Sequence, residues 1–291
     1  MGRARDIANI INSGTFITPA SASATYQQQI VSASAAPTPS VGKLWTDTRN
    51  SSYPNLKYYT GSDWRSIIGY TSPDKDIFND GSCLALYRLD NNILDDGGNY
   101  NGTSSTNVSF TTTKKIGTHS ASFSGNGRIA IPNVKNSYPL SISAWATSNA
   151  NWNDGFREII NLSIAGQRVS LGMNNWDNDS TPDIALFYGG TNHWTGLINF
   201  ENRGINDWHN IVWTINGSND SSHKIYVDGV SLSMTNRGGG HGGAAGWNIG
   251  SNADSTPGEC WNGKIDHLRI FNRVLSSSEV QSLYTLENVG F

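Results

Sequence analysis

From about residue 82 to residue 288 the chain repeats one pattern, a short apolar or alternating run followed by a polar, glycine-rich break. The runs are "CLALYRL", "ASFSG", "GRIAIP", "LSISAWATS", "REIINLSI", "RVSLGM", "DIALFYG", "HNIVWTIN", "HKIYVDGVSL", "GWNIG" and "GKIDHLRIF". "LSISAWA" and "NIVWTI" alternate with period two, which suits a sheet with one covered face. Such regular spacing of short strands predicts an all-β, two-sheet antiparallel sandwich or jelly roll. One helix is expected, in "SSSEVQSLYTLE", with serines at the N-cap and Glu279 in the first turn.

Before this domain the pattern changes twice. Residues 42–72 offer three short strands, Leu44 to Thr48, Leu56 to Thr60 and Trp64 to Ile68, with "TGSDW" as a tight turn. So small a β module has little core of its own, and oligomerisation, taken as a homotrimer, would supply the rest. Residues 1–41 begin with a brief helical pattern (Ile7, Ile10, Ile11). They continue as "TPASASATYQQQIVSASAAPTPS", small and polar, which reads as an extended docking arm held by another chain.

Composition narrows the class. The chain is 36% hydrophobic but carries ten tryptophans, eleven tyrosines, nine phenylalanines and 31 glycines, a balance that fits a loop-rich β protein. A net charge of −3, with lysine and arginine scattered, gives no pull towards nucleic acid or an anionic membrane. No apolar run is long enough to span a bilayer, and the first residues do not read as a secretory signal. Cys83 and Cys260 lack CxxC partners and are expected as reduced thiols.

Five stretches, in order, resemble the laminin-G-like, concanavalin A-like jelly roll: "YRLDNNILDDGGNYNGT", "ASFSGNGRIAIP", "PLSISAWA", "DWHNIVWTINGSNDSSHKIYVDGVSL" and "NGKIDHLRIFNRVLSSSEVQSLY". The resemblance implies the fold, and that fold carries lectins, glycosidases, adhesion modules and inert spacers alike. It also implies one structural calcium ion between the opening and closing strands. Here that would draw on Asp266 in "GKIDHLRIF", Asp90 and Asp95, and a backbone carbonyl near Gly102. The competing reading makes these acids and glycines ordinary turn residues. Separately, "GKLWTDT…LKYYTGSDWRSI" resembles a small module of phage virion fibre proteins. That resemblance implies a virion location, with the arm docked on other virion proteins and the C-terminal domain facing outward.

Chemistry is sparse. The E-x-D-x-x-E strand of retaining jelly-roll glycosidases is absent, and no two of the five glutamates lie close in sequence outside the C-terminal helix region, so no catalytic residue is assigned. The six histidines form no metal or catalytic motif, and the glycine-rich stretch 236–246 lacks the lysine and helix of a phosphate cradle. Sugar sites combine an aromatic face with amide and carboxylate groups. Trp176, Asn192, His193 and Trp194, in polar and turn-like sequence, meet that description, although covering the sandwich edge or a subunit contact would explain them equally well. The expected function is non-covalent adhesion to a host surface glycan or receptor by a virion appendage. A ligand-free capsid decoration knob and a polysaccharide-degrading enzyme are the alternatives.

Overall fold

The structure, a computed structural model, describes residues 31–33, 35–38, 43–47, 55–59, 64–66, 75–78, 80–148, 156–174, 183–188, 192–197, 207–217, 223–236, 238 and 243–288. The chain divides into two compact units, residues 1–71 and 72–291.

The first unit is a four-stranded sheet: β1 (Val31–Ala33), β2 (Leu44–Asp47), β3 (Asn55–Tyr59) and β4 (Trp64–Ser66), in that order. The three expected strands are present. In addition, residues 31–33 of the expected arm join the sheet, pairing parallel to β2. Trp45 ties the two together. It is buried, its Nε1 donates to the Ala33 carbonyl at 3.0 Å, and the Lys57 ammonium sits 5.5 Å from its ring.

The second unit is mostly β. Its strands are β5 (Cys83–Tyr87), β6 (Ser104–Thr111), β7 (Ser120–Ala130), β8 (Leu140–Ser148), β9 (Arg157–Ile164), β10 (Gln167–Asn174), β11 (Asp183–Tyr188) and β12 (Asn192–Leu197). Then follow β13 (His209–Ile215), β14 (Lys224–Val227), β15 (Val230–Ser231), β16 (Met234–Asn236), β17 (Asn248–Ile249), β18 (Gly263–Phe271) and helix α1 (Ser277–Asn288). One layer contains β15, β14, β13, β8, β18 and β5; the other contains β6, β7, β17, β9, β10, β11, β12 and β16. The long β7 joins them, pairing with β18 through residues 121–123 and with β17 through residues 129–130.

Alternation explains which side each residue takes. Leu140, Ile142, Ala144 and Ala146 of β8 face inward with Ile211, Trp213 and Ile215 of β13. They meet Leu162, Ile164, Val169 and Leu171 of the other layer in one buried core. The outer face of the β8 layer is covered as well: Val212, Tyr226 and Phe271 pack against Leu275, Val280 and Leu283 of the helical segment. The helix begins with a capping box, in which the Ser276 N–H donates to Glu279 Oε2 at 2.8 Å and the Glu279 N–H donates to Ser276 Oγ at 3.3 Å. Arg273 donates to both Glu279 oxygens and holds that carboxyl down at about 2. The "VDG" turn between β14 and β15 has positive φ at both Asp228 and Gly229, the primed geometry that matches strand twist.

Of the register shifts, or β-bulges, among the described strands, two lie beside Glu158 and Asp266. In β9 the pairing skips Ile159, so that Ile159 and Ile160 both enter the core, and Gly172 of β10 faces Glu158. A Cβ at Gly172 would lie 2.0 Å from the Arg157 carbonyl oxygen. Gly172→Ala is therefore expected to destabilise the domain by about 1–3 kcal/mol, because rigid backbone must move; equilibrium urea unfolding checks it. In β18 the register slips between Asp266 and Arg269, and His267 takes φ +50°.

Candidate functional site

The first candidate is the seam where the loop after β5 meets β18. Asp90 sits between Leu89 and Asn91, both in the left-handed region at φ +58°. For leucine this is a costly conformation, of the kind that concentrates at functional sites. It delivers Asp90 Oδ1 to the Thr118 N–H (2.5 Å), the Thr118 hydroxyl (3.0 Å) and the His119 N–H (2.8 Å). Asp266 lies beside the second bulge and is fully buried; its Oδ2 accepts from the Lys115 and Ile116 N–H groups at 2.8 and 3.0 Å. The remaining oxygens, Asp90 Oδ2 and Asp266 Oδ1, are buried and have no hydrogen-bond partner. Burial pushes the Asp266 carboxyl up to about 8, against the pull of those N–H groups, and the Asp90 charge adds to the rise. Two carboxylates that repel each other, each with an orphaned oxygen, are a donor set a hard divalent cation would satisfy.

Asp95 and Gly102 have other work. Asp95 Oδ1 accepts from the Leu86 N–H at 3.0 Å and Oδ2 from the Asn99 and Tyr100 N–H groups at 3.1 and 3.2 Å. The carboxylate thus closes its own turn. Gly102 donates its N–H to the Ile93 carbonyl at 2.8 Å, and a Cβ there would meet Ile93. Among the described residues no group of three or more His, Cys, Asp or Glu side chains is gathered as a metal shell, so a cation at the seam would lean on Asp90, Asp266 and backbone carbonyls.

The second candidate is the β9–β12 layer. Trp176 lies outside the described residues. Asn192, His193 and Trp194, expected in a turn, instead open β12 and pair with Tyr188, Phe187 and Leu186 of β11. Pairing with a neighbouring strand has overridden their local turn character. On the other side, described pairing to β16 covers Trp194, Thr195 and Gly196 and stops short of Asn192 and His193. Phe187, opposite His193 in register, packs edge-on against Phe156 with ring centroids 4.3 Å apart.

The same layer holds a polar cluster that sequence spacing did not reveal. Arg168 of β10 pairs with Glu158 of β9 and with Glu259, although the two glutamates are far apart in sequence. Asn161 donates to Glu158 Oε1 and to the Ser170 hydroxyl at 3.2 Å each, and accepts from the Gly246 N–H at 3.0 Å. Part of the glycine-rich stretch is thereby docked rather than free, with the Ala244 N–H donating to Asp254 Oδ1 at 2.8 Å. Burial pushes Glu158 up to about 7, opposed by the Arg168 charge and by hydrogen bonds from Ser170 and Arg168. Cys83 and Cys260 are separate, buried thiols.

A β-sandwich closed by a C-terminal helix, with a strained acidic seam, defines a jelly roll of the concanavalin A-like class. The chain belongs to the concanavalin A-like lectin/glucanases superfamily: the Laminin_G_3 family model matches residues 123–281, more than half of the chain. No curated protein sequence matches it. Solved structures share the fold. Domain 4 of the arabinanase AbnA from Geobacillus stearothermophilus, in complex with arabinotriose, is 22% identical with a TM-score of 0.53, covering 70% of this chain and 98% of that one. A Trypanosoma rangeli sialidase mutant displaying trans-sialidase activity is 16% identical with a TM-score of 0.51, covering 72% of this chain and 34% of that one. The binding domain of Paraclostridial mosquitocidal protein 1 is 18% identical with a TM-score of 0.50, covering 70% and 52%. The chain thus spans about a third of the sialidase and about half of the mosquitocidal binding domain.

Proposed function

We propose that the second unit is a non-catalytic binding module for a surface glycan or receptor, using the β11–β12 end of the second layer. The observation that carries this is the placement of Asn192 and His193 on β12, beyond the stretch paired with β16, next in register to a packed aromatic pair. Amide, imidazole and indole residues close together in the chain are the residue types from which sugar sites are built. The arabinanase domain of the same fold is described with arabinotriose bound, and the mosquitocidal domain as a binding domain, which agrees with this reading. A non-enzymatic role is supported by Glu158, whose carboxyl is fully buried and tied to Arg168 rather than presented to a substrate.

The wider setting rests on the N-terminal sequence. The "GKLW…YYTGSDW" module, its small four-stranded sheet and the polar arm favour a trimeric virion appendage that docks by its N-terminus, displays the jelly roll to the host and engages through several weak sites at once. A calcium ion at the seam would be held by Asp90 and Asp266 and would neutralise two repelling carboxylates.

The test is a glycan array probed with multimerised protein, followed by titration of any hit. Trp194→Ala is expected to weaken binding about tenfold or more, the scale of losing an aromatic face; thermal unfolding of the variant, measured alongside, separates lost binding from lost fold. Absence of binding to any host surface preparation would sink the adhesin reading, and release of shortened saccharides would replace it with an enzymatic one.

A further inference from the structure

The cluster on the β9–β10 face has a design that ligand binding does not require. Residues 250–260 are fastened to β9 by backbone bonds, from the Gly250 N–H to the Ile159 carbonyl (2.9 Å) and from the Glu158 N–H to the Glu259 carbonyl (2.8 Å). They are fastened to β10 by the Arg168–Glu259 ion pair. Glu259 itself sits at φ +51°, a conformation a glutamate adopts only when its surroundings hold it there. Its carboxylate shares Arg168 with Glu158, whose Oε2 is buried and without a hydrogen-bond partner. The two carboxylates thus share Arg168, and Glu158 is the fully buried one of the two.

We propose that Glu158, Arg168 and Glu259 form a proton-operated latch. With Glu158 protonated, its carboxyl no longer competes for Arg168, the Arg168–Glu259 pair tightens and residues 250–260 are held on the second layer. With Glu158 ionised, Arg168 is divided between two mutually repelling carboxylates and the segment loosens.

The other charged or titratable groups at the cluster, among the described residues, are Arg128 of β7, which donates to the Asp254 carbonyl at 2.8 Å, and Arg157 of β9, which donates to the Cys260 carbonyl at 3.4 Å. Asp254 caps Ala244 and accepts from the Asn252 amide at 2.8 Å. Burial raises the Cys260 thiol above its ordinary range. Glu158 is the operating group of the latch. Its carboxyl is raised by burial from 4.5 to about 7. Between those values the folded chain keeps a proton that the unfolded chain has lost. The stabilisation is therefore complete below the lower value and disappears as pH rises through the upper one.

Amide hydrogen exchange of residues 250–260 in the intact chain, corrected for the intrinsic pH dependence of exchange, tests the latch without any ligand. Protection is expected to be several-fold higher at pH 6 than at pH 8, falling as pH rises towards 7 and levelling off above it. Glu158→Gln should keep the high protection at both pH values, and Glu259→Gln, which leaves the buried pair intact, should give low protection at both. Equal protection at the two pH values in the unaltered chain, or a pH dependence that survives in Glu259→Gln, would overturn the proposal. Because no glycan is involved, failure here and failure of the binding reading are separate results.

Discussion

Glu287→Ala is expected to cost about 3–5 kcal/mol, the scale of breaking a fully buried ion pair from one side. Glu287 sits in the last turn of α1, where a carboxylate opposes the helix dipole and would ordinarily be disfavoured. It is nevertheless completely buried, pairing with the equally buried Arg269 of β18 through Oε1 and accepting from the Trp145 indole N–H at 2.7 Å through Oε2. Tyr284, one turn earlier, stacks on Trp145 at 5.9 Å, and the Lys115 ammonium lies 4.2 Å from the same ring. Truncating Glu287 leaves the guanidinium without this counter-charge and the indole without this acceptor, in a place water does not reach. Since a domain holds only about 5–15 kcal/mol in total, the variant should unfold at much lower urea. Arg269→Met combined with Glu287→Ala should recover much of the loss, because the double variant removes both buried charges together. A single variant within about 1 kcal/mol of the parent would show that the pair is not a net structural clamp.

Period-two alternation carried much of the fold. It separates Ile142 and Ala144 from Ser143 and Trp145 in β8, and it holds through β13. The "S-x-x-E" box before α1 and the "VDG" turn were legible because each depends on neighbours only a few residues apart. What failed to show was whatever the bulges control. Counting by twos from Asn161 puts Ile159 outside and Glu158 in the core. The slip at Ile159 reverses this and brings Glu158 onto the face of Arg168 and Ser170. The same count through "GKIDHLRIF" places Arg269 with Ile265, whereas the slip at His267 turns Arg269 out to meet Glu287. A bulge is one residue of backbone geometry and leaves no mark in hydrophobic periodicity. Glu259 was hidden for a different reason: its partner is far away in the chain, and only closure of the sandwich brings them together. A usable signal did exist, in that an arginine or an acid inside an otherwise apolar strand must find a partner somewhere. The seam was partly legible on that ground, through Asp266, while Asp95 gives one oxygen to the Leu86 N–H of β5 and the other to its own loop.

Calcium should raise the stability of the jelly roll, and a chelator should remove the gain. The reason lies in how the two seam carboxylates are finished. Each has one oxygen engaged by backbone N–H groups and the other buried without a hydrogen-bond partner. Strained backbone flanks both, at Leu89 and Asn91 on one side and His267 on the other. Strain of that kind persists only where the surroundings over-determine it, and two like charges driven together do not do so by themselves. A divalent cation between them would turn repulsion into attraction and tie the loop after β5 to β18. A ligand bound only by the folded state stabilises it by about 4 kcal/mol at a thousandfold excess over its dissociation constant, which is a shift of many degrees in a melting curve. The expected result is a higher melting temperature in millimolar calcium than in chelator, with little response to magnesium, whose smaller shell demands stricter octahedral geometry. Asp266→Asn and Asp90→Asn should each abolish the calcium response, while Asp95→Asn should lower stability and keep it. Identical melting curves with calcium and with chelator in the parent chain would mean that a proton, not a metal, settles the charge at this seam.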